Sequence, residues 1–244
     1  MSGWPDGSVR VAAIGDVHLD RDVLGRYRPA LEHLGGKADV LLLAGDLTRH
    51  GTADEARCVA EEFGGLAVPV VAVLGNHDYH SDQVDDFVKI LEDAGIVVLE
   101  CTGTVLDCNG VRFGIAGAKG FGGGFAGACG SEFGEPEMKA FIRHTRRIAE
   151  SFGAALGALD CDIRVALMHY APIPETLLGE PPEIYPFLGS YLLGEAVDSA
   201  PTDLAVHGHA HAGSERGTTP GGVRVRNVAH PVIKQAYNVY QLSR

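Results

Sequence analysis

Three short apolar runs, each stopped by a glycine and then a polar residue, constrain this chain more than anything else in it. Val9 to Ile14 ends at Gly15-Asp16, Asp39 to Ala44 (DVLLLA) at Gly45-Asp46, and Val68 to Leu74 at Gly75-Asn76. Runs this short, apolar on both faces, suit strands in the middle of a sheet that is covered on both sides. Helix-like spacers separate and follow them: Arg21 to Leu34, Ala53 to Phe63 and Asp82 to Ala94. The pattern predicts a βαβαβ unit with parallel strands.

After Gly95 the texture changes. Ile96 to Leu99 and Thr104 to Ala116 read as strands, the second broken by Asn109-Gly110, a strong hairpin signal. The glycine-rich stretch KGFGGGFAGACGSEFG starts at Lys119, and Glu135 to Leu159 reads as a long helix with Pro136 at its start. Asp162 to Met168 is a further apolar strand, ending at His169, and Asp203 to Val206 leads into His207-Gly-His-Ala-His211. Pro172 to Pro201 is a loop with one short helix, while Val223 to Val228 and Tyr237 to Leu242 alternate as edge strands do. With no repeat and no convincing linker, residues 1–244 form one domain of two sheets covered by helices, with rim or cap insertions at about 119–135 and 172–201.

A formal charge of −12 argues against an extended nucleic-acid surface or an anionic-membrane surface, since both want basic patches. A small phosphate substrate stays open, because a bound metal reverses the sign locally. The five cysteines form no CxxC pair and are odd in number, so they read as small buried hydrophobes rather than a disulfide framework or a thiolate site. The start, MSGWPDGSVR, lacks the basic and apolar parts of a signal peptide, and no window is apolar enough to span a membrane. A cytoplasmic protein is expected.

Five strand ends carry polar residues: Asp16 and His18; Asp46; Asn76 and His77; His169; His209 and His211. Each alone has an ordinary reading. Asp16-x-His18 arises by chance, Gly45-Asp46 makes a turn, Asn76 to Asp78 caps a helix, and a single His169 is a satisfied core residue. His209-x-His211 is stronger, since period-two geometry points both rings to one face. Ligands gather at the carboxyl ends of strands in open α/β sheets, so five ends supplying Asp, His and Asn to one edge form a single observation. Oxygen and imidazole donors without thiolate suit Mn, Fe, Zn, Co or Ni better than Mg or Ca alone. The donors are too many for one ion that leaves room for substrate, and about right for two sharing a carboxylate.

The series GDVH, GD, GNHD, H and GHAH, from Asp16 to His211, resembles the calcineurin-like metallophosphoesterase superfamily. That resemblance implies a four-layer α/β/β/α sandwich, two mixed sheets flanked by helices. It implies a first metal on Asp16, His18, Asp46 and His211, and a second on Asp46, Asn76, His169 and His209, with Asp46 bridging. The ions would be two divalent or mixed-valence transition metals, Mn, Fe or Zn. A hydroxide bridging them would attack a phosphate mono- or diester, leaving a site of about +1 net charge to draw the substrate in. His77 would be the general acid, or a stabiliser of the transition state, and Asp78 would orient its ring. The serine/threonine protein phosphatases of the superfamily carry GDxVDRG and GNHE. This chain has GDLTRHG and GNHD, which points to the smaller bacterial-type phosphodiesterases and phosphatases. The other reading is a non-catalytic metal-binding or interaction scaffold on the same fold. The intact ligands and His77 speak against it.

Other signals are weaker. Arg49 and His50 beyond Asp46 either touch substrate phosphate or sit in a solvated loop, and His207 is either an added group at the site or an inward strand histidine. Gly122-x-Gly124-x-x-Gly127 matches a dinucleotide fingerprint, but no helix follows it, so a loop at the site's rim is expected. The aromatic stretch Tyr185 to Tyr191 reads equally as a cap over the site or as a homo-oligomer surface.

Overall fold

Alternation along the apolar runs decides how the strands are covered. The structure, a computed structural model, describes residues 7–244; the first six residues, at the start where no leader was read, lie outside the described range. β1 (Ser8–Ile14), β2 (Val40–Ala44), β3 (Val70–Val73) and β4 (Ile96–Val98) lie parallel in that order. A hairpin of β5 (Thr102–Cys108) and β6 (Val111–Ala118) turns at Asn109-Gly110, as the sequence predicts. A tight ribbon, β7 (Gly124–Phe125) with β8 (Ala128–Cys129), occupies the glycine-rich stretch. β9 (Ile163–Met168), β10 (Leu204–His207), β11 (Arg216–Thr218), β12 (Arg224–Asn227) and β13 (Asn238–Ser243) complete the set. The first sheet runs β13-β1-β2-β3-β4 and the second β11-β12-β10-β9-β6-β5, each mixing parallel and antiparallel pairs.

Odd and even residues of each central strand serve different cores. Val9, Val11 and Ala13 of β1, with Val40 and Leu42 of β2, face Phe113, Ile115, Val165 and Val206 of the other sheet. Ala12 and Ile14, with Leu41 and Leu43, face outward beneath helices. Those helices include α1 (Arg28–Leu31), α2 (Ala53–Phe63) and α3 (Val84–Asp93), contributing Leu31, Phe63, Phe87 and Leu91. On the second sheet Ala116, Ala166 and Met168 lie beneath α4 (Pro136–Ala158), which supplies Phe152 and Leu156. Two short helices follow, α5 (Tyr185–Leu188) and α6 (Tyr191–Asp198), the second adding Leu193 and Val197 to that core. Three apolar cores between four layers make the α/β/β/α sandwich. Each fully buried aliphatic side chain contributes roughly 1.5–3 kcal/mol, so the doubly covered strands are anchored from both faces.

Local chemistry sets the boundaries. α2 starts where Thr52 and Glu55 form a reciprocal capping box. The predicted helix over Arg21 to Leu34 shrinks to the four residues of α1. Pro29 suits the first turn of a helix, and the buried Glu62 carboxylate takes the N–H groups of Gly25, Tyr27 and Arg28 (2.5–2.7 Å), so the chain before α1 forms a loop instead. The cysteines pair with nothing, but only Cys58 and Cys108 are buried; Cys129 is exposed, against the expectation of buried hydrophobes. No helix among the described residues is long and apolar enough to cross a membrane.

The two segments expected at the rim touch one another. The N–H of Gly123 donates to Pro186 O (2.7 Å) and that of Gly124 to Gly189 O (2.9 Å), so the glycine-rich ribbon and the aromatic stretch form one wall.

Candidate metal centre

The strands deliver their polar residues by turning sharply as they end. Asp16, His18, Asp46 and His209 all have left-handed backbone, with φ of 55°, 44°, 48° and 69°. Only eight non-glycine residues in the described chain do so, and half of them are here. Each such residue costs about 1–3 kcal/mol and persists only where the surroundings hold it, a pattern that marks functional sites. The holding bonds are visible. Asp16 N–H donates to Gly45 O (2.9 Å), His18 N–H to Asp46 O (3.1 Å) and Gly208 N–H to His169 O (3.2 Å).

Two glycines make room for carboxylates. A Cβ on Gly75 would collide with the Asp46 carboxylate, and one on Gly208 with that of Asp16. Gly75 and Gly208 are therefore steric requirements of the carboxylates beside them.

The result is two donor clusters. Asp16, His18, Asp46 and His211 offer ligand atoms all within 4.8 Å of one another, and so do Asp46, His169 and His209. Asp46 belongs to both. Asn76 joins the second group, its Oδ1 3.0 Å from His169 Nε2, which also lies 3.3 Å from Asp46 Oδ1. Both carboxylates are buried and, besides the imidazoles, are met by backbone N–H groups: His209 donates to Asp16 (2.9 Å) and His77 to Asp46 (2.9 Å).

The imidazoles are oriented from behind by carbonyls. His169 Nδ1–H donates to Ala44 O (2.9 Å), His18 Nδ1–H to Thr48 O (3.3 Å) and His209 Nε2–H to Phe187 O (3.3 Å). Each bond fixes a tautomer and leaves the opposite nitrogen with its lone pair, the arrangement metal-binding histidines favour. His18 Nε2 is the telling atom: it is buried and has no hydrogen-bond partner. Burial pulls the His209 imidazole down to about 3 and lowers His18, so both are neutral donors near pH 7. His211 moves up instead, because its Nε2 lies 2.8 Å from Asp16 Oδ1. An oxygen-and-imidazole set with an orphaned buried nitrogen fits a pair of borderline transition-metal ions.

His77 sits at the edge, its side chain nearly half exposed. Its Nδ1–H donates to Arg49 O (2.7 Å), its Nε2 lies 3.8 Å from Asp46 Oδ2, and its ring meets that of His18 edge-on at 4.7 Å. Here the sequence expectation for Asp78 needs correction. The Asp78 carboxylate is fully buried and accepts from the N–H groups of Leu47 (3.1 Å), Thr48 (2.9 Å) and Gly75 (2.8 Å) and from the Thr48 hydroxyl. It clamps two strand ends together, and the Arg49 carbonyl orients His77. Burial, helped by the Asp46 charge, raises the Asp78 carboxyl to about 6.

The expected substrate contacts are engaged elsewhere. Arg49 pairs with Asp22 (2.9 Å), and His50 is held by Glu55 (2.9 Å). His207 is fully buried between Gly208 O (2.7 Å) and the Thr176 hydroxyl (2.8 Å) and is pulled down to about 4 by burial, so it is the inward strand histidine of the two readings.

Sequence reasoning missed an aromatic group on the second cluster's side. The Tyr170 ring lies 4.4 Å from that of His209, and the half-buried Lys119 ammonium lies over the rings of Tyr79, Phe121 and Tyr170 at 4.8, 5.0 and 5.6 Å. Tyr79 and Tyr170 do directly adjoin the GNHD and His169 motifs, which was the available signal.

The chain is similar to known proteins in sequence and in fold. The profile of the family described as calcineurin-like phosphoesterase matches residues 9–213. A Caenorhabditis elegans protein designated metallophosphoesterase F40B5.2 is 33% identical over 117 residues, 46% of this chain and 24% of the relative. The match thus spans about a quarter of that relative's length. Among solved structures, the phosphopantetheinyl hydrolase of Mycobacterium tuberculosis superposes with a TM-score of 0.64 at 18% identity, covering 94% of this chain and 95% of that one. TT1561 of Thermus thermophilus gives 0.57 at 12% identity, covering 96% and 98%. At such identities these structures show the shared fold.

Proposed function

The chain belongs to the calcineurin-like phosphoesterase family, and on that premise we propose that it is a metal-dependent hydrolase of a small phosphate mono- or diester. The observation that carries the reading is the pair of donor clusters meeting at Asp46. Asp16, His18, Asp46 and His211 would hold one ion, and Asp46, Asn76, His169 and His209 the other; Mn, Fe or Zn all suit such donors. When bound, two such ions lower the pKa of a water between them and neutralise phosphoryl oxygens during in-line displacement.

The chain's own residues do the rest. The carbonyls of Thr48, Ala44 and Phe187 hold three imidazoles in the tautomers that leave a free nitrogen for binding. His77 has its Nδ1–H committed to Arg49 O, so any proton it exchanges moves at Nε2. Protonated there, it donates to the departing ester oxygen or steadies the negative charge that develops on it. The wall of the ribbon and aromatic stretch closes the second cluster's side, where Phe187 O meets His209. We treat the whole chain as one catalytic domain with those segments as its rim. A cytoplasmic setting belongs to the same proposal, resting on five unpaired cysteines.

The test is direct. Purified protein with and without added Mn²⁺ is assayed on 4-nitrophenyl phosphate and bis(4-nitrophenyl) phosphate, with metal content measured in parallel. Turnover that rises with metal up to two equivalents is expected, and its loss on chelation should be reversible. Two bound equivalents with no turnover of either ester would leave the scaffold reading instead.

A further inference from the structure

One cation near the site has carboxylates in its neighbourhood, Glu100 and Asp46, but none in direct contact. Among the described residues the Lys119 ammonium makes no ion pair and no hydrogen bond; its own backbone N–H, not the ammonium, donates to Glu100 (2.9 Å). Its direct contacts are aromatic, the faces of Tyr79, Phe121 and Tyr170, which accept none of its three N–H donors in a conventional hydrogen bond. Cation–π contacts of this kind hold the group in place but are weaker than a charge-assisted hydrogen bond.

The position is not arbitrary. Lys119 ends β6 at the same edge as the metal-binding strands, and its carbonyl accepts the N–H groups of both His169 and Tyr170 (3.1 Å each). The Tyr170 ring neighbours both the ammonium (5.6 Å) and the His209 ring (4.4 Å), and Tyr79 follows Asn76 by three residues. The rings hold a flexible side chain beside the second cluster, near enough for the Asp46 charge to act on the ammonium, and a substrate phosphoryl group would lie there.

We propose that Lys119 is a substrate-positioning residue, whose ammonium binds a non-bridging oxygen of the phosphoryl group and biases the enzyme toward dianionic phosphomonoesters. This rests on the hydrolase reading above. Two carboxylates against two divalent ions already leave the site positive. One further unit charge complements a dianion better than the monoanion of a diester, and the rings limit the solvent that would otherwise screen it.

Wild type, Lys119→Met and Lys119→Arg are brought to equal Mn²⁺ content and compared in two ways. Calorimetry gives the Kd of inorganic phosphate, and steady-state rates give kcat and KM for the two nitrophenyl esters. Lys119→Met should weaken phosphate binding and raise the monoester KM by roughly 10- to 100-fold, with a smaller change in kcat and a smaller change for the diester. Lys119→Arg should recover most of the binding, since it keeps the charge. Both variants retain the main-chain bonds of residue 119, and unchanged melting temperatures would confirm that they fold. An unaltered phosphate Kd in Lys119→Met overturns the role of Lys119, and equal losses on both esters overturn the monoester bias. The two readings fail separately: a wild type that turns over neither ester loses the hydrolase function, while the phosphate Kd comparison still decides Lys119.

Discussion

The two edges of the sheets use the same residue, aspartate, to opposite ends. At the amino ends, Asp39, Asp162 and Asp203 each immediately precede a strand, and each exchanges paired hydrogen bonds with an arginine backbone on the neighbouring strand. Their carboxylates accept the N–H of Arg10, Arg112 and Arg164 at 2.8 Å, and their own N–H groups donate back to the same arginines' carbonyls. At the carboxyl ends, Asp16 and Asp46 are buried among imidazoles, on left-handed backbone, with no arginine or lysine in ion-pair range among the described residues. One edge spends aspartate on closing the fold. The other sets it among imidazoles and backbone N–H groups, a setting that suits an added cation.

The contrast is sharpest at two adjacent residues. His77 faces outward with a free nitrogen, while Asp78 faces inward with its carboxylate shared among three backbone N–H groups and a hydroxyl. His77→Ala should leave metal content unchanged and lose roughly 10²–10⁴ in turnover on an ester with a poor leaving group. A nitrophenyl ester, which needs little help in leaving, should lose much less. Rates on an alkyl and a nitrophenyl ester beside metal analysis check this, and a collapse of metal content would move His77 among the ligands.

Asp78→Ala should do the reverse. It strands buried N–H groups of Leu47, Thr48 and Gly75, so unfolding free energy should fall by about 3 kcal/mol, from several unsatisfied donors at about 1–3 kcal/mol each. Urea denaturation reads the loss. The surviving folded fraction should still show the leaving-group dependence of wild type, since Arg49 O and not Asp78 holds the His77 ring. A variant of normal stability that had lost that dependence would return Asp78 to the catalytic group.

These paired residues also show what a sequence can convey. The apolar runs were legible because burial on both faces leaves no polar position inside a strand, and the ligand types were legible because each run stops at a glycine beside a donor. Two facts depend on contacts between distant segments and left no local trace. Glu62 reaches across more than thirty residues to hold the 25–28 loop, which cancels the helix its spacing suggests. Asp78 binds Leu47 and Thr48 rather than the imidazole next to it, because a neighbour in sequence on a tight 3₁₀ turn points to a different side. Lys119 had no signal at all: one lysine before a glycine run looks solvated until three separate segments bring rings around it.

The amino edge yields the smallest effect and isolates its chemistry from the site. Arg10 Nη2 lies 2.7 Å from Asp39 Oδ1 and Arg10 Nε 3.2 Å from Oδ2, with both side chains only 11% exposed. Burial pushes the Asp39 carboxyl up, but the hydrogen bonds from Arg10 outweigh that and hold it below its ordinary value of 3.8. A carboxylate depressed on folding stabilises fully above its unfolded pKa, and that contribution disappears as pH falls through the folded value. Asp39→Asn should therefore cost about 1–3 kcal/mol at pH 7, and the gap to wild type should narrow only below about pH 4. Paired urea titrations at pH 7 and pH 3.5 measure the full gap and the onset of its narrowing. Metal content and phosphoester turnover should be unchanged at pH 7, because the amino edge contributes rigidity but no donor to the site. A loss of turnover in Asp39→Asn would mean that strain is transmitted along β2 from Asp39 to Asp46, and that the two edges are not independent.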